Sequence, residues 1–406
     1  MIMEHAQQLP NVSGEVRMNN IIFVINNLGT GGVQRSLLNL LSELNEKFSI
    51  TVLCFDERLK NNSIVLPPHI ELVIPNSPFC YFGVSQGELR GKPVKYLARA
   101  SWALSTKLLG RSFAIKMMLP FQEELGDYDC AISYLHEAPQ TSFYGGCNEF
   151  VLKKVKAKMK VTWLHCDFEL CGANSKANEK IYQQFDRIVA CSEGTKLAFL
   201  RCMPQLAEKC VTIRNCNDFT GILRLAGNGV AYNKSEFNIV TVARLSREKG
   251  IERALAAIKD CIDRDYRVHY HLVGSGDRSD ELKDLSERYG LKDIVTFYGE
   301  RENPYPYMKS ADLFLLPSYH EAAPMVFDEA ACLGIPVLAT KTTSTDEMLV
   351  QRGAGIVCEN SQEGISAALL SILRQPEQLV AIRKALEGMN FTNAESIEKF
   401  SGVINA

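Results

Sequence analysis

Two glutamates eight positions apart, Glu321 and Glu329, stand in the run Pro317-Ser-Tyr-His-Glu-Ala-Ala-Pro-Met-Val-Phe-Asp-Glu-Ala-Ala-Cys-Leu-Gly-Ile-Pro336. The residues before it, Ala311 to Leu316, have the pattern of a buried strand. Pro324 falls where a helix begins and Gly334 where it ends. A strand, a short loop and a helix N-terminus make an anion site, because the first amides of a helix have no partner within it. Here that places the segment Ala322, Ala323, Pro324, Met325 and Val326 against phosphate or sugar. Glu329 lies about one and a half turns into the helix, where a carboxylate can accept from both hydroxyls of a ribose. Glu321 precedes the helix and can take the hydroxyls of a second sugar. The plainer alternative is a pair of helix-start acids favoured by the dipole. Phosphates together with many hydroxyls describe a sugar nucleotide.

Cations for such a ligand occur in Val242-Ala-Arg-Leu-Ser-Arg-Glu-Lys-Gly250. Arg244 offers a planar fork and Lys249 a point charge, both suited to a diphosphate that gains charge as it departs. By themselves they read equally well as solvated surface charges. Gly274-Ser-Gly-Asp277 also follows a strand pattern and reads first as a tight turn, second as a nucleotide neighbour. The loop Glu300–Tyr307, with Arg301, can hold a nucleobase or can be a rigid proline-rich connection. Gly31 and Gly32 end the first strand and open the helix that carries Arg35. They let a backbone approach a ligand closely but do not fit the dinucleotide fingerprint. Arg35, His165 and, more weakly, Glu137 are candidates for the acceptor side, the last two because they lie at strand ends. Asp263-Arg-Asp265 has the form of a metal-binding tripeptide but closes a helix pattern. No metal site is expected, and no cofactor beyond a nucleotide-sugar substrate.

These residues need elements to hold them. Short apolar runs at 20–26, 49–55, 70–74, 129–134, 160–165 and 187–191 alternate with helical segments. So do 238–243, 269–273, 294–298, 312–316 and 335–339. Such alternation means parallel sheets covered by helices. A chain of 406 residues exceeds one comfortable core. The polar, glycine-rich stretch 226–236 reads as a linker between two doubly wound domains facing a cleft. Hydrophobic content of 46% and a net charge of −2 suit a globular protein and argue against nucleic acid as a partner. Thirteen scattered cysteines without metal spacing favour a reducing compartment. Met1–Asn19 does not read as a signal peptide, and no run is long enough to span a bilayer. Residues 90–120 carry seven bases (Arg90, Lys92, Lys95, Arg99, Lys107, Arg111, Lys116) and no acid, interleaved with Trp102, Leu104, Leu108, Leu109, Phe113 and Ile115. That pattern fits a helix lying on an anionic membrane surface, or a solvated helix packed on the core. Lys153, Lys154, Lys156, Lys158 and Lys160 form a second basic run.

The spacing Glu321 to Glu329 matches the Glu-x7-Glu motif of retaining glycosyltransferases. The chain resembles glycosyltransferase family 4, of the GT-B fold (glycosyl transferases group 1). Leu28–Arg35, Val242–Gly250, Leu272–Gly276, Asn303–Tyr307 and Leu316 through Val337 follow in the family's order. The resemblance implies an α/β architecture of two Rossmann-like domains. Residues 20–225 would bind acceptor and 237–385 nucleotide sugar. An extension (1–19) would precede them, and a C-terminal helix within 386–406 would pack back on the first domain. It implies that Arg244 and Lys249 bind the diphosphate, Glu329 the ribose and Glu321 the donor sugar. Gly32 would lie near the phosphates, and His165 would approach the sugar. It further implies metal-independent transfer with retention, from a donor that is UDP-linked by family frequency. The acceptor would be a glycan, lipid-linked, on the cytoplasmic face of a membrane. Ala322-Ala323 replaces the family's Gly-Phe, which leaves the sugar open. A sugar-nucleotide epimerase or phosphorylase on the same fold, and an inactive binding module, are the alternatives.

Overall fold

The computed structural model describes residues 19–29, 31–60 and 66–405. Their strands form two parallel sheets. The first joins β1 (Asn20–Ile25), β2 (Ser49–Cys54), β3 (Glu71–Val73), β4 (Leu125–Ser133), β5 (Val155–Leu164), β6 (Arg187–Ala190) and β7 (Cys210–Thr212) in the order β3-β2-β1-β4-β5-β6-β7. The second joins β8 (Phe237–Val242), β9 (Val268–Val273), β10 (Val295–Gly299), β11 (Leu313–Leu316), β12 (Val337–Thr340) and β13 (Gly355–Cys358) in the order β10-β9-β8-β11-β12-β13. Helices cover both faces, which is why Ile21 through Ile25 are all fully buried. The strand order reverses between β1 and β4 in one sheet and between β8 and β11 in the other. Ligand crevices in open α/β sheets form at the carboxyl ends of such strands.

Two strands had no counterpart among the apolar runs. β7 has three residues and β13 four, beginning with a glycine, and both are edge strands. Neither is long enough to display a period. β5 starts five residues before the expected run. Its Lys156 and Lys158 face outward and pair with Glu124 (3.0 Å) and Asp129 (2.7 Å). The second basic run therefore spans the end of helix Cys147–Lys154 and the first half of β5, with acids alongside the strand.

The first sheet's core lies partly under the last helix. Ile397, Phe400, Val403 and Ile404 join Leu37, Leu40 and Phe23 in one cluster, and Phe400 stacks on Phe23 with centroids 6.1 Å apart. The chain crosses to the second sheet earlier than residues 226–236. Helix Phe219–Ala226 already puts Ile222 and Ala226 into a cluster with Met308, Phe314 and Phe327. It returns just before helix Ala394–Ile404. The two crossings are joined: Asn217 N donates to Asn393 Oδ1 at 3.0 Å, and Asn393 Nδ2 donates to Asn217 O at 2.8 Å.

The basic segment folds as helices Pro93–Leu109 and Arg111–Met118. In the longer one Thr106 alone is fully buried. Val94, Leu97, Leu104, Leu108, Leu109 and Phe121 are 57–79% exposed. Arg111 departs from the expected solvated set. It is fully buried, paired with Glu137 and 3.6 Å from Glu149. Lys95 pairs with Glu57, and Arg99 donates to Val84 O at 2.8 Å. Arg90, Lys92, Lys107 and Lys116 remain exposed.

Candidate active site

The second sheet sets the charged wall. Beyond β8 the backbone turns through Arg244 and a single helical turn, Arg247–Lys249. Beyond β11 it runs through Pro317 to Pro324 before helix Met325–Cys332. The two loops are joined where Tyr319 N donates to Glu248 O at 2.8 Å. This junction places Lys249 Nζ 2.5 Å from Glu321 Oε1, to which Ser318 Oγ also donates at 2.7 Å. The pair is mostly buried, so its charge is poorly screened. Arg244 differs: its side chain is 73% exposed and lies 3.4 Å from Glu248, a contact that constrains it little. The guanidinium is free to meet an anion.

The Gly274 segment is chiefly a packing device. Gly274 has φ +140°, and a Cβ there would lie 1.9 Å from Ala243 O. It lets the β9 loop press on the β8 loop and steady the Arg244 turn, where Leu245 N donates to Ser275 O at 2.8 Å. Gly32 has no such reason to be glycine. A Cβ on it would meet nothing within 4 Å. Gly31 is in extended backbone, and a Cβ there would meet the Gln34 side chain.

Glu329 is 2% exposed. Its Oε1 lies 3.3 Å from Arg35 Nη1, which also donates to Tyr305 OH at 3.3 Å. Its Oε2 is sealed from solvent and has no protein partner. Burial pushes the carboxyl above its ordinary range, and Arg35 pulls it back. Arg35 was expected on the acceptor side. Its guanidinium instead crosses to the glutamate of the other sheet. Arg301 is exposed in the loop after β10.

The carbonyls of Ala322 and Ala323 are taken. Ala322 O accepts from Ser344 and, at 3.5 Å, from Ser192; Ala323 O accepts from Asn215 Nδ2 at 3.3 Å. Asp167 accepts from Thr343. Ser192 and Asn215 were missed by sequence reasoning. Their signal was position, since each follows a first-sheet strand (β6 and β7) at its carboxyl end.

His165 follows β5 with its ring 4.6 Å from that of Tyr134. The residue keeps some exposure, but Nε2 is sealed without a partner. Burial, then neighbouring His136, hold its pKa well below the ordinary value, so the imidazole is neutral. A neutral ring can make one directed hydrogen bond to a hydroxyl. Glu137 does not belong here. Its carboxylate is buried, paired with Arg111 and receiving Asn148 Nδ2 at 2.7 Å. That network holds the β4 loop and leaves nothing for an acceptor. Asp263 pairs with Lys259 at 2.7 Å at a helix end, as its position suggested.

Two facing parallel-sheet domains with these loops between them define the GT-B architecture. The same fold occurs in the Anabaena Alr3699/HepE structure with UDP and glucose (TM-score 0.66, 18% identity, 96% of this chain and 99% of that one). It occurs also in WaaG, a glycosyltransferase of lipopolysaccharide biosynthesis (TM-score 0.57, 16% identity, 95% and 99%). Residues 229–388 match the family described as Glycosyl transferases group 1. By sequence the chain is 26% identical over 207 residues to the putative colanic acid biosynthesis glycosyltransferase WcaL of Salmonella typhimurium (48% of this chain, 50% of that protein). It is 30% identical over 129 residues to the lipopolysaccharide glucosyltransferase WaaG of Escherichia coli (31% and 33%). The match spans about half the length of the first of these relatives.

Proposed function

We propose that this chain is a retaining glycosyltransferase of surface polysaccharide or lipopolysaccharide biosynthesis. It moves a hexose or N-acetylhexosamine from a UDP-sugar to a lipid-linked glycan. The carrying observation is the Lys249–Glu321 pair, with exposed Arg244 in the same loop after β8 and with Glu329, whose Oε2 is buried and unpartnered, in the helix after the β11 loop. UDP is chosen because the HepE structure of the same fold holds UDP and glucose.

In this reading Arg244 and Lys249 meet the diphosphate, Glu321 and the amides near Val326 meet the sugar, and Glu329 meets the ribose. The bond from sugar C1 to the phosphate oxygen breaks, and its electron pair stays with the phosphate. The acceptor hydroxyl bonds to C1 on the same face, and its proton passes to the departing phosphate oxygen. The two cations stabilise the transition state more than the ground state, because the leaving group gains charge. His165, neutral, orients a sugar hydroxyl. The β1 and β5 loops supply the acceptor wall, and no metal is called on.

The membrane part of the reading rests on the exposed apolar row from Val94 to Phe121, flanked by Lys92, Lys107 and Lys116 with no acid between residues 90 and 122. Apolar side chains can enter the headgroup boundary while lysines meet anionic lipid. A lipid-linked acceptor on the cytoplasmic face would be presented there. Screening UDP- and GDP-sugars by thermal shift, followed by NMR of the product anomer, tests the donor and the stereochemistry. Inversion at C1, or stabilisation by GDP-sugars alone, would overturn the corresponding part.

A further inference from the structure

We propose that Arg35 is a positioning residue for the donor. It reaches from the first domain to hold one oxygen of Glu329 and present the other to the ribose hydroxyls, so that domain closure completes the ribose site. This rests on the ribose role given to Glu329 above.

Among the described residues, Arg35–Glu329 is the one ion pair that joins the two domains; the others each stay within one. The two carboxylate oxygens are unlike. Oε1 has Arg35 at 3.3 Å, whereas Oε2 is buried with no protein partner. A buried acceptor without a donor is costly and rare, and it marks where a ligand donor belongs. The guanidinium spans Oε1 and the Tyr305 hydroxyl together. Both bonds come from the one nitrogen Nη1, so a lysine ammonium can reproduce part of the contact.

The groups around Glu329 leave Arg35 without a substitute. Tyr305 faces it from helix Tyr305–Lys309, with Asp218 and Cys332 near that phenol. Asp328 adjoins it on its own helix and is itself paired with Arg352. Arg35 is thus the cation that offsets burial of the carboxylate. If the domains part, Arg35 leaves and the ionised form loses support. The ionised form is the one that accepts two hydroxyls. Closure, ionisation and ribose capture are therefore linked.

The test is calorimetric binding of UDP to the full chain as pH is lowered from neutral, with kcat and KM for the UDP-sugar. The ligand's own titration is common to every variant. In the native chain, affinity falls as Glu329 takes up a proton. In R35A this acid limb moves to higher pH, and neutral-pH affinity drops about tenfold. R35K recovers part of that affinity, and R35A adds nothing in an E329Q background. An R35A limb identical to the native one overturns the proposal. So does an R35A loss that persists undiminished beside E329Q, which would put Arg35 on the diphosphate or the acceptor. If E329Q binds UDP like the native chain, the ribose role itself fails and the coupling goes with it.

Discussion

Gly32 and Gly274 both follow strands at their carboxyl ends, and they should answer replacement by alanine in opposite ways. At Gly274 the φ of +140° and the contact with Ala243 O leave no room. Gly274→Ala should cost about 1–3 kcal/mol in urea denaturation. At Gly32 a Cβ meets nothing and the residue opens a helix, so stability should change by less than about 0.5 kcal/mol. In the proposed function the donor's phosphates approach Gly32, and on that reading transfer should still fall about tenfold. Lys249→Ala should lower kcat by about 10²–10³ with the fold intact by circular dichroism. Native-like turnover would remove the diphosphate assignment. The placement of Lys249 and Glu321 in loops after β8 and β11, and of Glu329 in the helix that follows, was legible in the sequence because apolar runs mark the strands. Glu137 carried the same local sign. Its partner Arg111 belongs to a helix packed beneath the β4 loop, and no local pattern announces such a pairing. The aim of Arg35 was equally hidden, since it depends on how two domains face each other.

At the scale of elements, the pair Pro93–Leu109 and Arg111–Met118 has a buried cation and an exposed apolar row that one basic stretch concealed. Arg111 is structural. Arg111→Ala would leave Glu137 and Glu149 buried without their cation, and about 3–5 kcal/mol of stability should be lost. The exposed apolar row does not hold the fold. Leu97→Glu with Leu108→Glu should leave the melting temperature unchanged and abolish co-sedimentation with anionic liposomes. A shift from dimer to monomer in sedimentation, with liposome binding absent in the native chain, would assign the row to a second copy instead. The strands were mostly readable because parallel strands buried on both faces are continuous apolar runs. β7 and β13 were not, since short edge strands need little apolar sequence. Their existence follows from the sheet they complete.

At the scale of the whole molecule, the last helix belongs to the first core. Phe400→Ala should destabilise by about 3–5 kcal/mol, although the residue lies far along the chain from the β1 and β2 residues it packs with. A UDP-sugar at one hundred times its Kd should add about 2.7 kcal/mol to the unfolding free energy if the native chain alone binds it. The two-domain plan was legible, but the crossing point was not. The polar stretch 226–236 resembles a linker by composition, yet helix Phe219–Ala226 before it is already docked on the second sheet. The chain therefore passes between domains twice at one place, where Asn217 and Asn393 hold each other. A joint of two adjacent passages behaves as a door hinge rather than a ball-and-socket. Such a joint would favour a swing about one axis over twist, and so would bring Arg35 and Glu329 back to the same register on each closure. Extra residues inserted within 227–236 would lengthen a rim of one leaf and leave the pin untouched.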